Sequence, residues 1–315
     1  MPKFKLVAAQ PDSLNHQWSV FNKQFVHTLP LNAIFDQRSR IFTLGSCFAV
    51  EIRKALKKSQ IAVFPQYETL SLEPDRYRIG DFPVRENFNY YNTFSIEQEF
   101  AKALQLWSQD EQDYWQVPDR WWGTEDLVYQ DPYRRCVFGR TREDVIAATR
   151  ALDDVVRQGA QAADGFLITL GLIEVWKKKD NQKVACMQPG YNAGGGAEEL
   201  QFHLSSFSEN LDNLRNIISH ICDLNAKAQI VFTVSPVPLG KTFTDNDVFV
   251  ANMESKSLLR AAAAQVCREH EQVHYFPSYD ICSAIKNVYT EDGRHIRPEI
   301  VKMILNGFFA SYFSA

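Results

Sequence analysis

The chain has 315 residues, of which 45% are hydrophobic and 23% are charged, and its formal net charge is −4. This composition predicts a globular protein with a sizeable core, either one large α/β domain with insertions or two smaller domains. The slightly acidic balance argues against nucleic-acid or anionic-membrane partners. Because the sequence shows neither a membrane-spanning apolar run nor a signal peptide, we expect a cytoplasmic protein.

The cysteines do not form a metal or redox motif. The sequence contains six of them, and none lie in a C-x-x-C pair. In a chain of this size without a signal peptide, free buried thiols are the expected state. We therefore expect neither a bound metal nor a cofactor.

Residues 1–40 show no sustained hydrophobic period and are predicted to form an irregular N-terminal arm. The domain proper then begins at residue 41 and extends to residue 315. Its first elements are predicted as a strand over 41–45, a helix over about 47–59 and a strand over 61–64, which together form a βαβ unit.

An aromatic-rich insertion of loops and short strands is predicted at about 66–140. It contains one clear helix, for which Ser95–Gln98 (SIEQ) resembles a capping box. The pair Trp121 and Trp122 could line a carbohydrate site, because sugars present apolar faces to flat rings. Packing of the insertion's own small core is the interpretation we favour.

The second half of the chain alternates regularly between helical and strand patterns. Helices are predicted near 142–160, 208–223 and 252–269 and after Pro298, and strands at 165–170, 229–234 and 273–276. Strands that alternate with helices favour a mainly parallel sheet covered by helices on both faces. The predicted fold class is therefore α/β.

Ser46 follows the first predicted strand and stands at the start of a helix. A hydroxyl lifted above the carboxyl edge of a sheet in this way is typical of α/β-hydrolase nucleophiles. The ordinary alternative is an N-cap serine, and on this segment alone it is the better one. Cys47 is a rival nucleophile, but we expect it to be buried in the helix packing and inert.

Asp292 and His295 lie in a loop between the last predicted strand and the last predicted helix. An aspartate at this spacing can accept a hydrogen bond from Nδ1 of the histidine and leave Nε2 free to take a serine proton. An isolated D-x-x-H is a weak motif, but its place at the carboxyl edge of the sheet strengthens it. We expect His295 within about 2.6–3.5 Å of Ser46.

Two further loops follow predicted strands and belong at the same edge of the sheet. One contains Gly171, which permits close approach of a backbone to a ligand, and Glu174. The other contains Ser235, within Ser235–Pro238 (SPVP). Glu174 and Ser235 are therefore substrate-binding candidates, although each loop taken alone is an ordinary exit from a strand.

These segments together resemble a known family. Gly45–Ala49 (GSCFA) is similar to the block after which the GSCFA family is named, a branch of the SGNH/GDSL-like hydrolases. Tyr91–Ser95 (YNTFS), Leu170–Leu172 (LGL), Ser235–Pro238 and Asp292-x-x-His295 look like the rest of its pattern. The resemblance spreads over residues 41–298.

The resemblance implies a three-layer α/β/α fold of flavodoxin-like form and a catalytic triad of Ser46, Asp292 and His295. Gly171 matches the glycine of the block that builds the oxyanion hole. That block usually reads G-x-N-D, but Ile173 stands where the asparagine would be. The backbone N–H groups of Ser46 and Gly171, with Asn92 as a substitute amide, are the oxyanion-hole donors we predict.

The leading functional hypothesis is an SGNH-type serine hydrolase or acyltransferase that acts on an O-acyl ester, with saccharide esters among the candidate substrates. The alternative is a non-catalytic ligand-binding protein that keeps the pocket. A nucleotide-dependent enzyme is disfavoured, because the glycine-rich stretch at 189–196 lacks the Lys-Ser/Thr of a phosphate-binding loop and is better interpreted as a flexible loop over the site. The sequence does not indicate the oligomeric state.

Overall fold

The computed structural model describes residues 33–70, 73–79, 90–189 and 198–314. Most of the predicted N-terminal arm and the glycine-rich segment 190–196 lie outside these residues. The strands are β1 (Arg40–Gly45), β2 (Ala62–Phe64), β3 (Tyr77–Ile79), β4 (Trp115–Pro118), β5 (Leu127–Gln130), β6 (Val137–Gly139), β7 (Gly165–Leu170), β8 (Glu174–Lys178), β9 (Val184–Ala185), β10 (Leu200–Leu204), β11 (Gln229–Val234) and β12 (Val273–Tyr275). The helices are α1 (Cys47–Lys58), α2 (Thr93–Ala103), α3 (Arg142–Ala162), α4 (Phe207–Leu224), α5 (Val248–Glu269), α6 (Ser278–Ala284) and α7 (Pro298–Tyr312).

The central sheet is five-stranded, with the order β12-β11-β7-β1-β2. Every neighbouring pair in it is parallel. In chain order of its own strands this is 2-1-3-4-5, the flavodoxin-like arrangement. The predicted α/β class with a mainly parallel flavodoxin-like sheet is therefore confirmed.

Helices cover both faces of the sheet and produce the three-layer α/β/α fold. Alternate strand residues point to opposite faces, so Phe42 and Phe166 join the core under α2, α3, α4 and α5. Ile41 and Leu167 join the core under α1, α6 and α7. No helix in the described part of the chain has the length and apolar character needed to span a membrane.

Helix α2 begins three residues before the position that the capping-box pattern indicated. Asn92 is its N-cap, and the Oδ1 atom of Asn92 accepts a hydrogen bond from the N–H of Ser95 at 2.9 Å. The capping-box prediction at Ser95 was therefore wrong, because the asparagine satisfies the free N–H of the first turn instead. Helix α5 begins at Val248, one turn before the predicted start.

The segment 66–140 contains a four-stranded antiparallel sheet with the order β3-β6-β5-β4. The Trp121 ring packs on Phe138 with 3.9 Å between ring centroids, and Nε1 of Trp122 donates to the carbonyl of Pro74. These contacts favour the packing interpretation of the two tryptophans. A three-stranded antiparallel sheet, β10-β8-β9, follows β7 and was not predicted.

Gly45 marks the end of β1 and is required there by its backbone. Its φ is +130°, and a Cβ atom at this position would lie 2.2 Å from the carbonyl oxygen of Thr169. Both the conformation and the contact exclude a side chain. The close approach of β1 and β7 at this point therefore depends on glycine.

We predict that Gly45→Ala lowers the free energy of unfolding by about 2–6 kcal/mol, the sum of backbone strain and steric overlap. Gly123→Ala is the matched control, since its φ is +72° but no atom of the described residues lies within 4 Å of the place that a Cβ would take. The control should lose only about 1–2 kcal/mol. Urea denaturation measures both, and equal losses would contradict the steric argument.

Candidate active site

The candidate site lies where the strand order of the sheet reverses. Strands β1 and β7 are neighbours, and the chain continues from them to opposite edges of the sheet. Ser46 directly follows β1, and Gly171 directly follows β7. Crevices at the carboxyl ends of two such strands are the usual ligand sites of open parallel sheets.

A short segment of backbone crosses this point and connects the two strand ends. The N–H of Tyr90 donates to the carbonyl of Gly45 at 2.8 Å, and the N–H groups of Gly171 and Leu172 donate to the carbonyl of Tyr91 at 3.0 and 2.8 Å. A Cβ on Gly171 would lie 2.6 Å from that same carbonyl oxygen. These bonds bring the adjoining Asn92 to the site.

Ser46 occupies the N-cap position of α1, but its side chain makes no capping hydrogen bond. Its Oγ lies 3.1 Å from Oγ1 of Thr169, and its N–H donates to that Oγ1 at 2.7 Å. The residue is only 3% exposed. Helix capping therefore does not explain this serine.

Asp292 holds the imidazole of His295. Oδ2 of Asp292 is hydrogen-bonded to Nδ1 of His295, while Oδ1 accepts the N–H groups of Arg294 and His295, each at 2.9 Å. The bond to His295, followed by one from Thr290, holds the pKa of Asp292 well below its usual range. Among the described residues, Nε2 of His295 has no hydrogen-bond partner, so it is the nitrogen that a substrate could meet.

Ser46 and His295 line one cavity of about 640 Å³. The predicted hydrogen bond between them is absent. The Ser46 hydroxyl contacts Thr169, and the His295 side chain is 73% exposed. The structure thus brings the two residues to one cavity but leaves them apart within it. The other lining residues are Cys47, Tyr91, Asn92, Arg135, Gly171, Leu172, Glu174, Val175, Trp176, Ala185, Cys186, Met187, Gln188, Ser235, Val237, Pro238, Leu239, Gly240, Lys241, Phe243, Lys256 and Arg294.

The two backbone donors predicted for the oxyanion hole are already in use. The N–H of Ser46 donates to Thr169, and that of Gly171 donates to Tyr91. Neither is free for a substrate in this conformation. Asn92 also lines the cavity, and its cap uses Oδ1, not the Nδ2 amide group.

Cys47 differs from its prediction. It is half-buried, not buried, and it lines the cavity with its Sγ 3.4 Å from the hydroxyl of Tyr91. As the first residue of α1, it has no intrahelical acceptor for its backbone N–H. Among the described residues no other acceptor meets this N–H, which makes it a candidate oxyanion donor.

The two substrate-binding candidates also line the cavity, but their polar atoms bind the protein itself. The Glu174 carboxylate accepts from Oγ1 of Thr242 at 2.6 Å and from the N–H of Phe243 at 2.8 Å. Oγ of Ser235 accepts from the N–H of Val237 at 3.3 Å. Both residues therefore shape the loop that forms one side of the cavity.

A model of the GSCFA family matches residues 40–308, which is most of the chain. The chain belongs to the GSCFA family. The matched region contains Ser46, Asn92, Gly171, Asp292 and His295, so all the residues discussed above lie within it.

Two solved structures are similar to this GSCFA chain at low identity. One, from Streptococcus pneumonia, bears the provisional name platelet activating factor; it is 13% identical, with 94% of this chain and 90% of that chain covered and a TM-score of 0.41. The other is a Clostridium thermocellum family 3 carbohydrate esterase, 10% identical, with 87% of this chain and 94% of that chain covered and a TM-score of 0.35. No curated protein matches the chain.

The sequence reasoning missed Lys256, which also lines the cavity of this GSCFA protein. Its side chain is buried, and Nζ donates to the carbonyl of Gly171 at 2.7 Å. Burial is the main reason that its pKa falls to about 7; Cys47 raises the pKa and Arg294 lowers it. A signal did exist in the sequence, because Lys256 shares the helical period of the buried Leu259 and Ala263.

We predict a pH-dependent stability difference between Lys256→Met and the wild type. The lysine pKa is about 7 when folded and about 10.4 when unfolded, so between these values the unfolded chain binds more protons. Burial of Lys256 therefore lowers the free energy of unfolding of the wild type most below pH 7, and this loss becomes smaller as the pH rises. The free energy of unfolding of Lys256→Met minus that of wild type should therefore decrease by about 1–3 kcal/mol between pH 7 and pH 9.

Urea denaturation at several pH values measures this difference. Lys54→Met is the control, since Lys54 is an exposed lysine on α1 that pairs with Glu51. The stability of this control should run parallel to that of wild type across the range. If the free energy of unfolding of Lys256→Met also ran parallel to that of wild type, the reduced pKa of Lys256 would be contradicted.

Proposed function

We propose that this protein is an SGNH-type serine esterase or O-acyltransferase that acts on an O-acyl ester, with Ser46 as nucleophile. The observation that carries the proposal is the position of the Ser46 hydroxyl, whose hydrogen-bond partner among the described residues is Oγ1 of Thr169. It stands at a helix N-cap without capping the helix, at the reversal point of the sheet, in one cavity with an Asp292-oriented His295. A serine, a histidine and a carboxylate in this relation are the components of acyl-transfer catalysis.

In the proposed reaction, Oγ of Ser46 attacks the ester carbonyl while Nε2 of His295 takes the hydroxyl proton. The C–O bond of the ester then breaks, and the leaving alcohol receives that proton from His295. Water or a second hydroxyl attacks the acyl-enzyme in the same manner and restores Ser46. Because the two side chains are not in contact, the turn that carries His295 must approach Ser46 during the reaction.

The negative charge on the former carbonyl oxygen needs donors in place of the asparagine that Ile173 replaces. We assign this role to the N–H of Cys47 and to Nδ2 of Asn92. The first lies at the N-terminus of α1, where the helix dipole favours negative charge. The second belongs to a residue that the Tyr90–Tyr91 backbone fixes beside both strand ends.

The substrate is expected to be a small molecule or a saccharide ester. A cavity of about 640 Å³ is within the usual size of small-molecule sites. One wall is aromatic, because Trp176 packs on Phe243 with 5.1 Å between ring centroids. Flat rings of this kind suit either an apolar acyl chain or the apolar face of a sugar.

We predict that Ser46→Ala abolishes ester hydrolysis and labelling by a fluorophosphonate probe, because it removes the nucleophilic oxygen. Cys47→Ser should retain hydrolysis within about threefold, since only the backbone of Cys47 takes part. Hydrolysis of short-chain aryl esters and mass spectrometry of the labelled peptide measure both. Loss of activity in a folded Cys47→Ser alone would instead indicate a cysteine enzyme, and a wild type that is inactive and unlabelled would favour the non-catalytic binding protein.

We predict that Asn92→Ser lowers kcat by about 10²-fold with little change in KM, because the lost amide bond strengthens mainly in the transition state. Serine keeps an acceptor for the N-cap, so α2 should remain intact. Asn92→Ala is the comparison and should add a loss of stability of about 1 kcal/mol. An unchanged kcat in Asn92→Ser at unchanged melting temperature would remove Asn92 from the oxyanion hole.

A further inference from the structure

Among the described residues, the cavity lining carries more positively than negatively charged side chains. Four cationic side chains, Arg135, Lys241, Lys256 and Arg294, line the cavity together with a single carboxylate, Glu174, among the described residues. That carboxylate is bonded to Thr242 and Phe243 within the neighbouring loop. Among the described residues, Lys256 and Arg294 are therefore cationic groups of the lining for which no carboxylate forms an ion pair.

Lys256 is the most unusual of the four. Five cationic side chains are buried in the described part of the chain, and the three least exposed are Arg134, Lys178 and Lys256. Arg134 is paired with Glu99 and Asp153, and Lys178 with Asp113. No carboxylate among the described residues lies within salt-bridge distance of Lys256, whose hydrogen bond goes to a neutral carbonyl.

A buried ammonium without a counter-ion is costly, and proteins normally avoid it by pairing. The reduced pKa of Lys256 reflects that cost. An anion bound in the cavity would supply the missing partner. The unpaired state is thus understandable if the ligand brings the negative charge.

Arg294 provides a second positive group near the mouth of the same cavity. Its Nε donates to the carbonyl of Pro238 at 3.2 Å, and its guanidinium lies close over Gly240. Among the described residues no carboxylate forms an ion pair with it. Its charge acts on Lys256, and it directly precedes His295 in the chain.

We propose that the ester bound by this cavity is anionic, with a carboxylate or phosphate group held by Lys256 and Arg294. This inference names the substrate class and rests on the proposed function for its kinetic test, but not for its binding test. Charge-assisted hydrogen bonds from a buried ammonium and a guanidinium give such a site both affinity and selectivity.

The kinetic test compares matched esters with and without charge. In the first pair the charge is on the acyl side: 4-nitrophenyl hemisuccinate has a carboxylate there, and 4-nitrophenyl butyrate does not. In the second pair the charge is on the alcohol side: 4-acetoxybenzoate has a carboxylate there, and its methyl ester does not. Wild type should prefer the charged member of one pair by about tenfold or more in kcat/KM. Lys256→Met should reduce that preference at least about tenfold, measured as the ratio of kcat/KM for the charged ester to kcat/KM for the neutral ester, so that a general loss of activity cancels.

Two further variants control this comparison. Lys54→Met removes one exposed positive charge that is not part of the cavity lining and should keep the preference, which separates local binding from long-range attraction. Arg294→Gln should also reduce the preference for the charged ester. Because Arg294 is exposed, this variant should fold and can test the proposal even if Lys256→Met does not fold. An equal preference in wild type and both cavity variants would overturn the proposal.

The binding test does not need catalysis. N-(4-nitrophenyl)succinamic acid and mono(4-nitrophenyl) phosphate are titrated calorimetrically into Ser46→Ala, with N-(4-nitrophenyl)butyramide as the neutral control. At least one anion should bind tenfold or more tighter than the amide, and Lys256→Met in the same background should remove the difference. If no ester is hydrolysed but this difference is seen, the proposed function fails and the anion site stands; equal binding of all three compounds refutes the anion site.

Discussion

The contact between Gly45 and Thr169 is the constraint on which the site depends. Because residue 45 has no side chain, Thr169 approaches the end of β1 closely enough for its hydroxyl to bind Ser46. The same strand end accepts the N–H of Tyr90, which draws the adjoining segment across to β7. The positions of the serine, of Asn92 and of the Gly171 loop therefore follow from one close approach of two parallel strands.

Buried cations away from the cavity and the buried lysine in the cavity have different hydrogen-bond partners. Where Arg134 and Lys178 are buried, the protein itself supplies carboxylates, and these ion pairs join the insertion to α3 and to β8. At Lys256 it supplies a backbone carbonyl instead. A fold that pairs Arg134 and Lys178 with carboxylates but leaves Lys256 without one accepts a loss of stability at the site, as expected where a ligand completes the interaction.

The sequence predicted the central strands better than the rest. Strands β7 and β11 have the expected bounds, because strands buried on both faces consist of continuous apolar runs with clear ends. Strands β8, β9 and β10 were missed, since they are short and depend on antiparallel pairing with each other; the alternation of Leu200, Phe202 and Leu204 with polar residues was their signal. The burial of Lys256 and the engagement of the Ser46 and Gly171 N–H groups arise from tertiary contacts, which residue types alone do not reveal.

The separation of Ser46 from His295 has a structural basis that connects recognition to catalysis. Ser46 is fixed by the sheet and by α1, whereas His295 belongs to an exposed turn. Oδ1 of Asp292 accepts the backbone N–H groups of both Arg294 and His295, so one carboxylate holds the stretch of backbone from which the guanidinium and the imidazole project. Under the proposed anionic recognition, a substrate that attracts Arg294 toward Lys256 also draws the His295 ring inward, where Ser46 lies. Charge on the substrate would then contribute to placing the general base as well as to binding.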